Sequence, residues 1–278
     1  MVKNMKKINF KEDWPESWKY SYPYDLLEVY GVKNLTGYAH AYANRFKHTL
    51  GLIQKVAKPG AKILDIAAAQ GNFSLSLAEL EYEVTWNDLR KELIDYVKLK
   101  WESGIVHYAP GNIFDLKFDT QFDVVLIAEV IEHVAHPDDF LKNIAQMLKP
   151  GGYIVLSTPN GQYFKNRLPR FSDCPDPSQY EVIQFKPNSD GHIFLLHLDE
   201  IEQLSHQAGL VVKETRLVTN PLTNGHIKLH HLLKLLPKSW VETCEKLTCS
   251  MPLAVKCKLH TTTIALLTQS KSSNEICG

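Results

Sequence analysis

Three side chains able to bind a cation or move a proton fall within five residues of the segment AEVIEHVAH: Glu129, Glu132 and His133. On a helical turn their i, i+3, i+4 spacing would aim all three to one side. Two carboxylates and an imidazole facing a cleft suit an oxygen-preferring divalent ion such as Mg²⁺ or Mn²⁺. His192, in GHIFLLHLDE, is the candidate fourth ligand. The same residues also suit catalysis without an ion. His133 is a candidate general base toward an acceptor hydroxyl, with Glu129 beside it. A plainer alternative stays open, in which such an acid–histidine group only lines a cavity and bonds to backbone.

A second constellation lies upstream. In ILDIAAAQGNF, Asp65 ends a short apolar run and Gly71 opens a helix-like stretch, while Asp88 closes the next apolar run in VTWND. Backbone N–H groups at a helix start and carboxylates at strand ends together make a site for a nucleotide-like ligand.

The elements that must carry these residues alternate from about residue 61. AKILDIA, YEVTWN, IVHYA, FDVVLIA and YIVLST read as strands, with helices at NFSLSLAELE, LRKELIDYVKLKWE and PDDFLKNIAQMLK between them. LDEIEQLSHQAG follows as a helix, then LVVKETRLVT and HTTTIALLTQ as strands. Such alternation implies an α/β, doubly wound, mostly parallel sheet with helices on both faces. Residues 1–60 hold ten aromatics and read as an N-terminal helical cap; residues 61–278 form the main domain, with insertions at 159–198 and 220–258. Insertions of this length in one domain are more often functional than idle.

Composition narrows the partners. Lys plus Arg at 31 equals Asp plus Glu at 31, so no global basic field favours nucleic acid. Five cysteines, an odd number without a Cys-x-x-Cys pair, point to a reducing compartment, and the N-terminus lacks the apolar stretch of a secretory signal. The expected location is the cytoplasm. The segment 226–240, HIKLHHLLKLLPKSW, is compatible with an amphipathic helix, either a lid or a peripheral contact with a membrane. Cys244, Cys249, Cys257 and His260 do not have zinc-ribbon or zinc-finger spacing.

Four blocks in order, ILDIAAAQGNF, VTWND, APGNIFDL and FDVVLIAEVIEHVAHPDDFLKNIAQMLKPGGYIVLSTPN, resemble the class I S-adenosylmethionine-dependent methyltransferases over about residues 55–218. The last strand would complete that family's seven-stranded, Rossmann-like sheet. The closest flavour is that of the ubiquinone-pathway O-methyltransferases, which NPLTNGHIKL also resembles. The resemblance implies S-adenosylmethionine as cofactor, with Asp65, Ala67, Ala69 and Gly71 around its methionine part. It places Asp88 on the ribose, Asn112 and Ile113 beside the adenine, and Ala128 at the end of the fourth strand.

The implied activity is methyl transfer to an oxygen of a small-molecule or lipid-like acceptor. Glu129, Glu132, His133 and His192 also resemble the metal set of small-RNA 2′-O-methyltransferases, which leaves RNA as an alternative acceptor that the neutral charge disfavours. Ala67 and Ala69 stand where the family pattern has glycines. Alanine serves there if φ stays negative, whereas a left-handed backbone would cost about 1–2 kcal/mol. That departure leaves room for a partner protein that keeps the fold without turnover.

Overall fold

Along KILDI and FDVVLIA, successive branched side chains point to opposite faces and both faces are buried, as a central parallel strand requires. We describe a computed structural model of the chain; it describes residues 5–30, 37–184, 191–224, 226, 233 and 235–270. Two helices come first, α1 (Glu16–Glu28) and α2 (Gly37–Val56). The alternating part follows: β1 (Lys62–Ile66), α3 (Asn72–Glu79), β2 (Glu83–Trp86), α4 (Leu93–Lys100), β3 (Ile105–Tyr108), β4 (Phe122–Ala128), α5 (Pro137–Ala145) and β5 (Leu148–Pro159). After a long connection come α6 (Leu198–Gln207), β6 (Leu210–Val218), α7 (Pro221–Asn224), α8 (Lys238–Cys249), α9 (Leu253–Leu259) and β7 (Thr262–Gln269).

The seven strands lie in the order β3-β2-β1-β4-β5-β7-β6. All neighbours are parallel except β7, which runs antiparallel to both β5 and β6. The sequence places β7 in the sheet, but its direction follows from the insertion of α7 to α9, which keeps the chain at the end where β6 stops, so that Thr262 starts beside Val218 and the strand runs back the other way. Between β1 and β4 the order reverses, and the loops leaving these strands part there to open a crevice.

Each face of the sheet has its own core. Leu64, Val125, Ile127, Ile154 and Leu156 pack with Phe140, Leu141 and Ile144 of α5 and Ile201 and Leu204 of α6. Ile63, Val124, Leu126 and Val155 pack with Phe73 and Leu77 of α3 and with Leu50, Leu52 and Ile53 of α2. A boundary at residue 60 therefore cuts through one core. Within the expected cap, α1 and the described chain before it sit outside these two clusters, packing Trp14 against Trp86, Tyr96 and Val97. Burying a large apolar side chain contributes about 1.5–3 kcal/mol, so α2 is held to the sheet as firmly as the helices between strands.

Two other local expectations change. The helix ends at Ala145, and LKPGG lies inside β5, where a register shift against β4 accommodates it. α4 starts at Leu93, four residues after the apolar pattern does, because Asp88 and Arg90 are engaged in the turn before it.

Candidate active site

The crevice holds two cavities that share Ala67 and Glu129 among their walls. One, of about 500 Å³, runs over Asn87, Leu89, Gly111, Asn112, Ile113 and Phe114 toward His133. The other, of about 290 Å³, lies under α1 and α2 between Ala69, Gln70, Arg45, Tyr42, Glu28 and Ala128. Because both are walled by Ala67 and Glu129, the two cavities adjoin there. That shape fits an elongated ligand with a flat ring at one end and a polar tail at the other.

The turn after β1 is pinned by its neighbours. Ala68 N–H donates to the Asn87 carbonyl (2.8 Å), Ala69 N–H to Asp88 Oδ2 (2.9 Å), and Trp86 Nε1 to the Ala69 carbonyl (3.0 Å). These bonds force Ala67 to φ 51° and Ala69 to φ 47°, so both alanines are left-handed, contrary to the condition under which alanine is harmless. Glu129 is left-handed too, at φ 56°. Backbone strain at three non-glycine residues around one cleft marks it as a functional place. Gly71, at φ 74°, begins α3, and a Cβ there would meet Val97 at 2.8 Å.

Two residues expected on the ligand turn elsewhere. Asp65 is buried and accepts from Ser74 Oγ (2.5 Å), tying β1 to α3, and burial pushes its carboxyl up to about 7. It lines neither cavity. Asp88 is also buried, with both oxygens engaged: Arg90 N and Nε donate to Oδ1, while Arg90 Nη2 and Ala69 N donate to Oδ2. The Arg90 guanidinium thus lies where ribose hydroxyls would donate. Asn112 and Ile113 do reach the larger cavity; Asn112 Oδ1 accepts from Phe114 N–H (3.2 Å), which fixes the amide at its wall. Asn87 holds that loop by donating to the carbonyls of Ala109 and Gly111.

The Glu-x-x-Glu-His segment does not form the expected helical turn. Glu129 is a single left-handed residue, and Ile131–His133 is a short 3₁₀ turn. The side chains separate accordingly. Glu129 Oε2 pairs with Arg45 Nη1 (2.9 Å) and its Oε1 accepts from Ser157 Oγ (3.0 Å), facing the cleft. Glu132 points inward, where Oε2 accepts from Thr158 Oγ1 (3.0 Å) and Oε1 is buried without a hydrogen-bond partner. Burial, and then the charge of Glu129, hold the Glu132 carboxyl well above the usual carboxylate range. The structure brings Glu132, His133 and His192 together, their ligand atoms within 4.8 Å of one another, and leaves Glu129 out of that group.

The residues that the sequence did not single out come from the cap. Tyr42 OH and Arg45 Nε are buried at the smaller cavity without partners. Glu28 accepts from Tyr38 OH (2.6 Å), Gln70 Nε2 (3.0 Å) and Asn72 Nδ2 (2.8 Å), fastening α1 to the turn after β1; burial raises its carboxyl. Below it, fully buried Lys100 donates to Asp25 Oδ2 (2.8 Å) and Asn72 Oδ1 (2.7 Å), and Tyr96 OH donates to Asp25 (2.7 Å). Asp25 and Glu28 at i, i+3 amid tyrosines are a sequence signal for a polar helix face. Nothing in the sequence names its partners.

Residues 37–215 match a family model described as a methyltransferase domain. The chain belongs to that methyltransferase family. It is 38% identical over 110 residues to a ubiquinone biosynthesis O-methyltransferase of Xanthomonas campestris pv. campestris, a match covering 38% of this chain and 46% of that one. A second ubiquinone biosynthesis O-methyltransferase, from Chelativorans sp., is 32% identical over 176 residues, covering 61% of this chain and 68% of its own. The chain thus spans from about half to two thirds of these relatives' length. The methyltransferase solved in complex with the Haloferax volcanii Trm112 activator shares the fold, with a TM-score of 0.53 at 18% identity over 82% of this chain and 91% of that one.

Of the segment 226–240, residues 227–232 and 234 lie outside the described residues, and Lys238–Trp240 belong to α8. Among the described residues, no helix is long and apolar enough to cross a membrane.

Proposed function

We propose that the chain transfers the methyl group of S-adenosylmethionine to an oxygen atom of a small acceptor, as the names of its relatives suggest. The observation that carries this reading is the pair of adjoining cavities, one over Asn112 and Ile113 and the other walled by Tyr42 and Arg45, which carry orphaned buried donors. Tyr42 OH and Arg45 Nε–H are buried donors awaiting an acceptor, and a methionine carboxylate supplies one. The residues therefore fit the cofactor, which supplies an electrophilic methyl on a sulfonium.

Asn112 and Ile113 would flank its adenine, Ala67, Ala69 and Ala128 the methionine end, and Asp88 its ribose once the Arg90 guanidinium gives way to the ribose hydroxyls. Glu129, fixed by Arg45 and Ser157, forms the wall where the two cavities adjoin. With both oxygens already accepting, it orients rather than takes a proton. His133, on the larger cavity, is the base that removes the acceptor's hydroxyl proton. Alignment of acceptor oxygen and methyl supplies much of the remaining acceleration.

Glu132, His133 and His192 also fit a divalent ion, because the orphaned Glu132 Oε1 has no other partner. Such an ion would stabilise an acceptor alkoxide. Transfer that survives exhaustive chelation leaves His133 alone in the role. The free thiols of Cys174, Cys244, Cys249 and Cys257 support a cytoplasmic setting.

The test is calorimetric titration with S-adenosylmethionine and S-adenosylhomocysteine. Binding should weaken at least about tenfold in Asp88→Ala and in Arg45→Met, with melting temperatures checking the fold. Full affinity in both variants sinks the assignment. The second reading, a binding partner without turnover, draws on Arg90 lying over Asp88. If Arg90 competes with the ribose, Arg90→Met should tighten binding by about twofold to fivefold, the strength of a part-exposed ion pair. No binding in either protein puts the partner reading first.

A further inference from the structure

Outside the cleft, a cavity of about 390 Å³ opens at the end of β5, walled by Tyr163, Lys165, Asn166, Arg167, His192 and His226. No carboxylate belongs to its wall. The chain has five arginines, and four of them are ion-paired: Arg45 with Glu129, Arg90 with Asp88, Arg170 with Asp199 and Arg216 with Glu214. Arg167 is the exception among the described residues. Its Nη1 donates to the carbonyls of Phe164 and Asn166, and its other donors have no partner among the described residues.

Lys165 likewise makes no ion pair among the described residues, its Nζ donating to the His226 carbonyl. His226 Nδ1 lies 3.1 Å from Tyr163 OH, and burial, then Lys165, lowers its pKa, so the positive charge here rests on Arg167 and Lys165. His192 is the link to the chemistry: it walls this cavity and also belongs to the group with Glu132 and His133. Its ring lies edge-to-face on His133, with centroids 4.8 Å apart.

The geometry points to this cavity as the seat of a carboxylate borne by the methyl acceptor, with Arg167 as the specificity-determining residue and Lys165 assisting; this rests on the methyl-transfer reading above. A guanidinium with free, parallel donors recognises a planar carboxylate in a way an ammonium does not. An acceptor held by its carboxylate at Arg167 must pass the paired rings of His192 and His133 to bring its hydroxyl to the cleft.

Benzoate and benzyl alcohol, alike in size and different in charge, are the probes, titrated into the full chain saturated with S-adenosylhomocysteine and followed by histidine-detected NMR. The wild type should bind benzoate at least about tenfold more tightly than the alcohol, with shifts at His192 and His226. Arg167→Gln should reduce that ratio to about one, and Arg167→Lys should restore it only in part. Melting temperature and S-adenosylhomocysteine affinity, both unchanged, exclude misfolding.

A ratio of one in the wild type, or a ratio that survives Arg167→Gln, overturns the proposal. Saturable binding of inorganic phosphate without benzoate overturns it in favour of a free anion. Arg167-dependent binding of phosphatidylglycerol vesicles without benzoate does so in favour of a lipid headgroup. Loss of the benzoate preference with cofactor binding intact refutes this inference alone. Absence of cofactor binding refutes the methyl-transfer reading, and the acceptor assignment with it.

Discussion

Replacing Ala67 and Ala69 by glycine should stabilise this protein, although alanine to glycine usually does the opposite. Both alanines are held left-handed, at φ 51° and 47°, by hydrogen bonds from Ala68 and Ala69 to β2 and its turn and from the Trp86 indole. A left-handed non-glycine residue costs about 1–2 kcal/mol, and glycine removes that strain. Against this, the freer unfolded chain of a glycine variant takes back about 0.4–1 kcal/mol.

The net gain is about 0.7 kcal/mol per site and somewhat over 1 kcal/mol for the pair, since neighbours in one turn are not strictly additive. For a chain of this size that is a rise of about 2–5 °C in melting temperature. Differential scanning calorimetry of Ala67→Gly, Ala69→Gly and the double variant measures it. The control is Ala78→Gly inside α3, which should lose about 1 kcal/mol or more from helix propensity and a buried methyl. If the turn variants fall in melting temperature as the control does, the alanines are not left-handed and the account of the turn is wrong.

Lys100→Met should be severe, because it leaves the Asp25 carboxylate fully buried beside Tyr96 and Asn72 without its cation, a loss of about 3–5 kcal/mol. The double variant Asp25→Asn/Lys100→Met should recover most of that in urea denaturation, and failure to recover would show that the charge pair is not what holds α1 down.

Asp65 carries a pH signature. Burial raises its folded-state carboxyl to about 7, whereas in the unfolded chain it titrates near the ordinary value of about 3.9. Between these values the native state binds more protons, so stability falls as pH rises from about 4 to about 7. Asp65→Asn keeps an acceptor for Ser74 and should flatten that fall; equal slopes in the two proteins would refute the assignment.

The sequence by itself determined the sheet and the position of its crevice. Branched runs of KILDI and FDVVLIA are buried on both faces whatever surrounds them, and the turn after β1 must face the ends of β1 and β4 once the strand order reverses. Asn112 and Ile113 were named by the family resemblance alone, and both line the larger cavity.

Tertiary structure decided what each polar side chain does there. Spacing put Glu129, Glu132 and His133 on one face, but Arg45, far upstream in α2, pulls Glu129 to the cleft while Thr158 draws Glu132 inward. Arg90 covers Asp88, Ser74 takes Asp65, and the Asp25–Lys100 pair joins helices whose sequences give no hint of each other. Backbone periodicity is local and repeats, so a sequence displays it. A buried polar partner is chosen by distance in space, and only the packed chain fixes which donor meets which acceptor.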